Sequence, residues 1–313
     1  MSQAASRPLF EHAQQTIAAG SKSFATAARL FDPATRRDAL MLYTWCRHCD
    51  DVVDGQVLGF AAPSPASDSP QVRLVQLREY TRRALAGEPM QDPAFAAFQE
   101  VALARQIPEE QALAHLDGFA MDVEHRHYEQ LDDTLQYCYH VAGVVGLMMA
   151  RVMGVQDEAV LDRACDLGLA FQLTNIARDI VEDAALGRCY VPAQWLHEAG
   201  IDPERIADPA NRPALATLAT RLVDTAEPYY ESAQAGLPAL PWRCAWAIAT
   251  ARGVYREIGM KVKQAGPRAW DRRQGTSKLE KLGLLCQGLG QALSARVARQ
   301  AAPRPPQLWQ RPH

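Results

Sequence analysis

The chain has 313 residues, 48% hydrophobic and 22% charged, the composition of a soluble globular protein able to bury a sizeable core. With 33 basic against 36 acidic side chains the formal charge is −3, so bulk electrostatics give no reason to bind nucleic acid. No run of about twenty apolar residues occurs, which excludes a bilayer-spanning helix. In chain order, helical spacing of apolar residues predicts helices over residues 8–30, 34–54, 70–86, 92–105, 109–124, 132–153, 156–184, 213–235, 238–263 and 277–298. Asp32-Pro33, Pro108-Glu109-Glu110 and Asp132-Asp133 supply start signals, with proline or carboxylate where a helix N-terminus favours it. No convincing alternating strand appears, so the expected fold is all-α, a single helical bundle. Residues 1–300 are expected to form that unit, and the proline-rich residues 301–313 to fray. Loops are expected at 55–70, a lid or a plain linker, and at 185–212.

Two acidic clusters stand inside these helices, Asp50-Asp51-Val52-Val53-Asp54 and Asp179-Ile180-Val181-Glu182-Asp183, each preceded by an arginine. Residues four apart share a helix face, so Asp50 points with Asp54 and Asp179 with Asp183. Their neighbours are apolar or aromatic: Leu42, Tyr43 and Trp45 in one helix, Phe171, Leu173 and Ile176 in the other. Carboxylates converging inside such helices would repel each other unless hard divalent cations lay between them. Oxygen ligands of this kind suit Mg²⁺ or Mn²⁺ held together with substrate phosphates, which points to chemistry on a diphosphate.

The seven cysteines are scattered and read as reduced cytoplasmic thiols. Cys46, His48 and Cys49 lack a second ligand pair at zinc spacing. Asp122, Glu124, His125 and His127 read as a solvated helix end.

Four segments together resemble the signatures of the squalene and phytoene synthase family. They are Gly20-Ser21-Lys22-Ser23-Phe24, Tyr43 to Asp54 (YTWCRHCDDVVD), Tyr137 to Gly146 (YCYHVAGVVG) and Gln172 to Asp183 (QLTNIARDIVED). The resemblance runs from about residue 15 to about residue 290 and is nearest the bacterial, carotenoid-pathway branch. It implies an isoprenoid-synthase bundle around a central cavity. By the same resemblance Asp50, Asp54, Asp179 and Asp183 hold two to three Mg²⁺ or Mn²⁺ ions, with Asp51, Glu182 and Asn175 in support. Arg47, Arg178, Gln172 and Asn175 are then expected at the diphosphates, with Ser21, Lys22 and Ser23 as a further phosphate contact. Tyr43, Tyr137 and Tyr255 resemble cavity tyrosines able to face cationic intermediates. Arg188, Tyr190 and Arg272 fit downstream positions of the family, with Arg252 and Arg256 as competitors. Gly143 and Gly146 permit close approach of a backbone or an isoprenoid chain.

The implied activity is a prenyl transfer joining two geranylgeranyl diphosphates head to head through a cyclopropylcarbinyl diphosphate, without NADPH. Squalene or dehydrosqualene synthesis from farnesyl diphosphate is the alternative, and a non-catalytic helical adaptor is the reading from another class. The string QLTNIARDIVEDA disfavours a chain-elongating prenyltransferase or a terpene cyclase. A cytoplasmic location is expected. Peripheral association with the inner face of a membrane and contact with neighbouring carotenoid-pathway enzymes are compatible with it, and no nucleic-acid partner is expected.

Overall fold

Helix-favouring sequence with caps at the expected places folds almost entirely as helix. The computed structural model describes residues 3–20, 22–57, 60–61, 68–297 and 303–312. The elements are α1 (Gln3–Gly20), α2 (Lys22–Ala28), α3 (Pro33–Asp54), α4 (Pro70–Leu85), α5 (Pro93–Arg105), α6 (Glu109–Val123), α7 (Leu131–Cys138), α8 (Val144–Val152), α9 (Glu158–Ala185), α10 (Ala193–Glu198), α11 (Arg212–Ala235), α12 (Trp242–Ala265) and α13 (Lys278–Val297). A π-turn over Tyr139–Gly143 joins α7 to α8. The β structure among the described residues is one antiparallel pair, Gln56–Val57 against Phe60–Ala61.

Asp32, Asp92 and Asp157 cap α3, α5 and α9 by accepting backbone N–H bonds that no helical carbonyl reaches. The helix expected over residues 8–30 is instead two, α1 and α2, parted beside Gly20, where glycine lowers helix propensity. Within the loop expected at 185–212 the short helix α10 forms, with Trp195 and Leu196 buried. Much of the lid expected at 55–70 lies outside the described residues.

Helix α9 is the central element, packed against α8, α11 and α12. Its contact with α8 depends on glycine. A Cβ on Gly146 would come within 2.3 Å of the Ala164 carbonyl oxygen, and one on Gly168 within 2.3 Å of the Ala142 carbonyl oxygen. The close approach at Gly146 is therefore between backbones, whereas a Cβ on Gly143 would meet the Leu169 and Cys165 side chains. One continuous apolar core runs from Ala13 to Leu308. No helix among the described residues is long and apolar enough to cross a membrane.

The expectation of a frayed tail fails for residues 303–312. Arg304 donates to both carboxylate oxygens of the fully buried Asp166, at 2.9 and 2.7 Å, and Ser232 Oγ donates to the same acid at 2.5 Å. Arg311 pairs with Asp162 at 2.6 Å and with Glu158. Leu308 is buried, and the Trp309 backbone N–H donates to the Tyr229 hydroxyl at 3.2 Å. The prolines do prevent a helix, yet an extended segment can still dock through arginines and an apolar side chain.

Candidate active site

Both acidic clusters occupy the last two turns of their helices. Helix α3 ends at Asp54 with Gly55 in the left-handed region at φ 65°, and α9 ends two residues after Asp183. A helix C-terminus carries partial negative charge, so acids there are disfavoured, and neither helix places a basic residue in its last turn. The compensation comes from arginines. Arg47 meets Asp50 at 3.0 Å and Asp51 at 2.6 Å. Arg178 Nε donates to Asp179 at 2.8 Å. Arg188, beyond the end of α9, crosses to Asp54 at 2.6 Å and ties the two helix ends together. Arg273, between α12 and α13, donates to Glu182 at 2.9 Å and to Asp179 at 3.0 Å.

The compensation is incomplete. Asp50, Asp51, Asp54, Asp122, Asp179, Glu182 and Asp183 are seven acids against the four arginines 47, 178, 188 and 273, a formal excess of three acids. The strain shows in the acids themselves. Burial, with Asp179 close by, pushes Asp183 up to about 7 although Arg188 opposes it. Burial, with Asp54 and Asp51 close by, pushes Asp50 up to about 6 against the pull of Arg47. Among the described residues no three His, Cys, Asp or Glu side chains stand gathered about one point, because the arginines lie among the acids. Asn175 donates to Gln172 at 3.2 Å, while its own buried Oδ1 has no hydrogen-bond partner.

Several expectations are revised here. Asp122, read from sequence as solvated, accepts from Tyr190 at 2.8 Å and from Tyr137 at 3.2 Å. Burial raises its carboxyl, and Arg188 opposes the rise. The other members of that group, Glu124, His125 and His127, are exposed as expected. Tyr137, expected to line the cavity, instead stacks on Tyr190 with ring centroids 4.4 Å apart, its hydroxyl turned to Asp122. Arg273, not Arg272, reaches the acids, although both arginines are exposed. Arg252 donates to the Tyr230 carbonyl at 2.7 Å and Arg256 pairs with Glu227, so neither competes for the site. Ser21 lies outside the described residues, as do the side chains of Lys22 and Ser23. Cys46 and Cys49 are not thiolate ligands in waiting, since burial pushes Cys46 up to about 12 and Cys49 well up.

Below the acids a cavity of about 330 Å³ opens between α3, α8, α9 and α12. Its α9 wall is one helix face: Asn175, Gln172 or Phe171, Gly168, Ala164 and Val160, each three or four residues from the next. Tyr43 and Tyr255 line it near the acids, with Tyr255 stacked on Phe171 at 4.1 Å. Burial pushes both phenols up, Tyr43 to about 12, so both remain neutral. The site therefore joins an anionic rim with oxygen ligands to a largely aromatic and aliphatic chamber.

An all-helical fold with acid-bearing helix ends above a central apolar cavity is of the isoprenoid synthase type. A solved dehydrosqualene synthase in complex with ligand superposes with a TM-score of 0.82 at 26% identity, covering 93% of this chain and 98% of that one. The family model for squalene/phytoene synthase matches residues 17–281, and the chain belongs to that family. It is 67% identical over 305 residues to a phytoene synthase of Pseudescherichia vulneris, covering 97% of this chain and 98% of that protein. It is 64% identical over 304 residues to the 15-cis-phytoene synthase of Pantoea ananas, with coverage of 97% and 98%.

Proposed function

We propose that the chain is a 15-cis-phytoene synthase, a prenyltransferase joining two geranylgeranyl diphosphates head to head. The observation that carries the reading is the excess of acids at the rim of a largely apolar cavity, in a chain so similar to the bacterial phytoene synthases. The residues present fit hard divalent cations. Asp50, Asp54, Asp179, Asp183 and the unpartnered Asn175 Oδ1 offer only oxygen, at helix ends where positive charge is favoured, with Asp51 and Glu182 beside them. Mg²⁺ or Mn²⁺, two to three ions by family resemblance, would neutralise the diphosphates and their departure.

The chain's own groups do the rest. Arg47, Arg178, Arg188 and Arg273 hold carboxylates now and can exchange them for phosphate oxygens, contacts for which a guanidinium fork is suited. Diphosphate leaves the first substrate, and the double bond of the second captures the allylic cation. Loss of a proton gives the cyclopropylcarbinyl diphosphate. Its ionisation, rearrangement and a second proton loss then give the C40 hydrocarbon. Overall two diphosphates and two protons are released per hydrocarbon, one proton in each half of the reaction. Phe171, Tyr43 and Tyr255 present ring faces to the cations, and the apolar walls exclude water that would quench them. Tyr190 and Tyr137 orient Asp122, which helps set Arg188.

The test is incubation of purified protein with labelled geranylgeranyl diphosphate and Mg²⁺, with and without NADPH. Phytoene should form equally in both. A product that requires NADPH, or turnover of farnesyl diphosphate alone, overturns the reading in favour of squalene or dehydrosqualene synthesis. Peripheral attachment at the inner membrane face beside other carotenoid enzymes belongs to the same reading, because the prenyl chain of the substrate and the whole product are apolar. Co-flotation with anionic vesicles would show it, and complete recovery in the vesicle-free fraction would oppose it.

A further inference from the structure

A buried arginine, Arg163, stands among the lining residues of the cavity, far along α9 from the acids. Arg163 is 8% exposed, and its Nη1 donates to the Ser232 carbonyl at 3.0 Å. Its stem passes Gly236, where a Cβ would lie only 3.2 Å from Arg163 Cβ and Cδ. Beside it is a second cavity, lined in part by Pro303 and Arg304 of the docked C-terminal segment. The two chambers share Val160, Arg163 and Gly236 as lining residues. An arginine stem is apolar and its head costly to bury unpaired, so pinning the head to a backbone carbonyl makes a rigid partition.

The distance is informative. From Asn175 at the rim to Arg163 is twelve residues along α9, about 18 Å at helical rise. Each isoprene unit contributes four chain carbons, roughly 5 Å at ordinary bond lengths, so four units span about 20 Å and five about 25 Å. Resting on the proposed activity, we propose that Arg163, with Val160 and Gly236, is the specificity-determining floor. It sets the longest prenyl chain admitted, and the chamber beside it is the space a fifth unit would need. Asp162 and Arg304 make that second chamber more polar than the first, which adds a solvation barrier to the steric one.

The experiment compares prenyl diphosphates of 15, 20 and 25 carbons on the full-length protein. Turnover is measured alongside thermal-shift binding of their unreactive thiolodiphosphates. Arg163→Ala should raise the C25-to-C20 preference by about tenfold or more in both readouts, the scale of discrimination a few methylenes provide. Arg163→Met, which keeps the bulk of the stem but loses the bond to Ser232, should shift the preference in the same direction by less than Arg163→Ala does. Because Arg163→Ala also deletes the bond to Ser232 and can impair folding, the half-buried Val160 supplies a second route. Val160→Phe should shorten the chamber and lower the C20-to-C15 preference by about tenfold. Unchanged preference in folded Arg163→Ala, or in Val160→Phe where the former does not fold, overturns the floor. If wild type turns over none of the three substrates, the proposed activity fails instead, and the thiolodiphosphate shifts still decide the floor. A strong C25 preference in wild type also overturns it.

Discussion

The acidic ends of α3 and α9 carry nearly the same sequence pattern but sit in different surroundings. At the end of α3 the Asp50 side chain is 42% exposed, and its arginine partner, Arg47, lies on the same helix. At the end of α9 Asp179 is 14% exposed and held from two sides, by Arg178 of its own helix and by Arg273 from beyond α12. Asp54 and Asp183 are then drawn into one group by Arg188, which bonds the first and opposes the charge of the second. Similar motifs thus differ in pairing: Asp50 and Asp51 meet an arginine of their own helix, whereas Asp179 and Glu182 also meet the remote Arg273. The difference teaches that the second half depends more on the tertiary fold, and that Arg188 makes the two halves one site.

The most severe way to break the comparison is to remove an acid from each half. Asp54→Ala and Asp183→Ala should each lower kcat by about a thousandfold or more while the protein stays folded, as seen by circular dichroism and gel filtration. If one variant kept near-normal turnover, the halves would not be one site. Asp122 sharpens the point from behind the acids. Asp122→Asn keeps the shape but weakens the hold on Arg188, and should reduce kcat/KM about 10- to 100-fold, the range for groups that orient a site. An unaltered kcat/KM would return Asp122 to a structural role. A smaller effect separates two adjacent arginines. Arg273→Ala should raise KM for the diphosphate about tenfold, while Arg272→Ala leaves it within about twofold. The reverse order would mean that the Arg273 pairs are incidental.

The smallest expected effect is on stability. The raised Asp183 carboxyl binds its proton more tightly in the folded chain than in the unfolded one, where it titrates near 3.8. Its contribution therefore favours folding at low pH and is lost as pH climbs from 3.8 through about 7. In EDTA, Asp183→Asn should match the wild-type Tm near pH 4 and exceed it by about 1–3 °C at pH 8. A variant less stable than wild type at pH 8 would show that Asp183 is held by a structural bond.

What sequence could and could not reveal follows from range. Asp50, Asp54, Asp179 and Asp183 were legible because their spacing is local to a helix, and the string from Gln172 to Asp183 is specific. Asp122 was not, because its partners Tyr190 and Arg188 lie more than sixty residues away in the chain and no local period marks them. Arg273 was missed by one position in a segment with no regular helix, where nothing in the pattern says which arginine turns inward. The tail was misjudged for the same reason: prolines report correctly that no helix forms, but Asp166, which binds Arg304, is 138 residues distant.

The central claim is that both acidic helix ends serve one diphosphate-binding site. Crystals grown with Mn²⁺ and the unreactive geranylgeranyl thiolodiphosphate test it directly, because anomalous scattering locates the metal. The account predicts Mn²⁺ peaks between the diphosphate and carboxylates of both helices, with Asp50 or Asp54 on one side and Asp179 or Asp183 on the other. Metal and diphosphate found on one helix alone, or away from both, would contradict it.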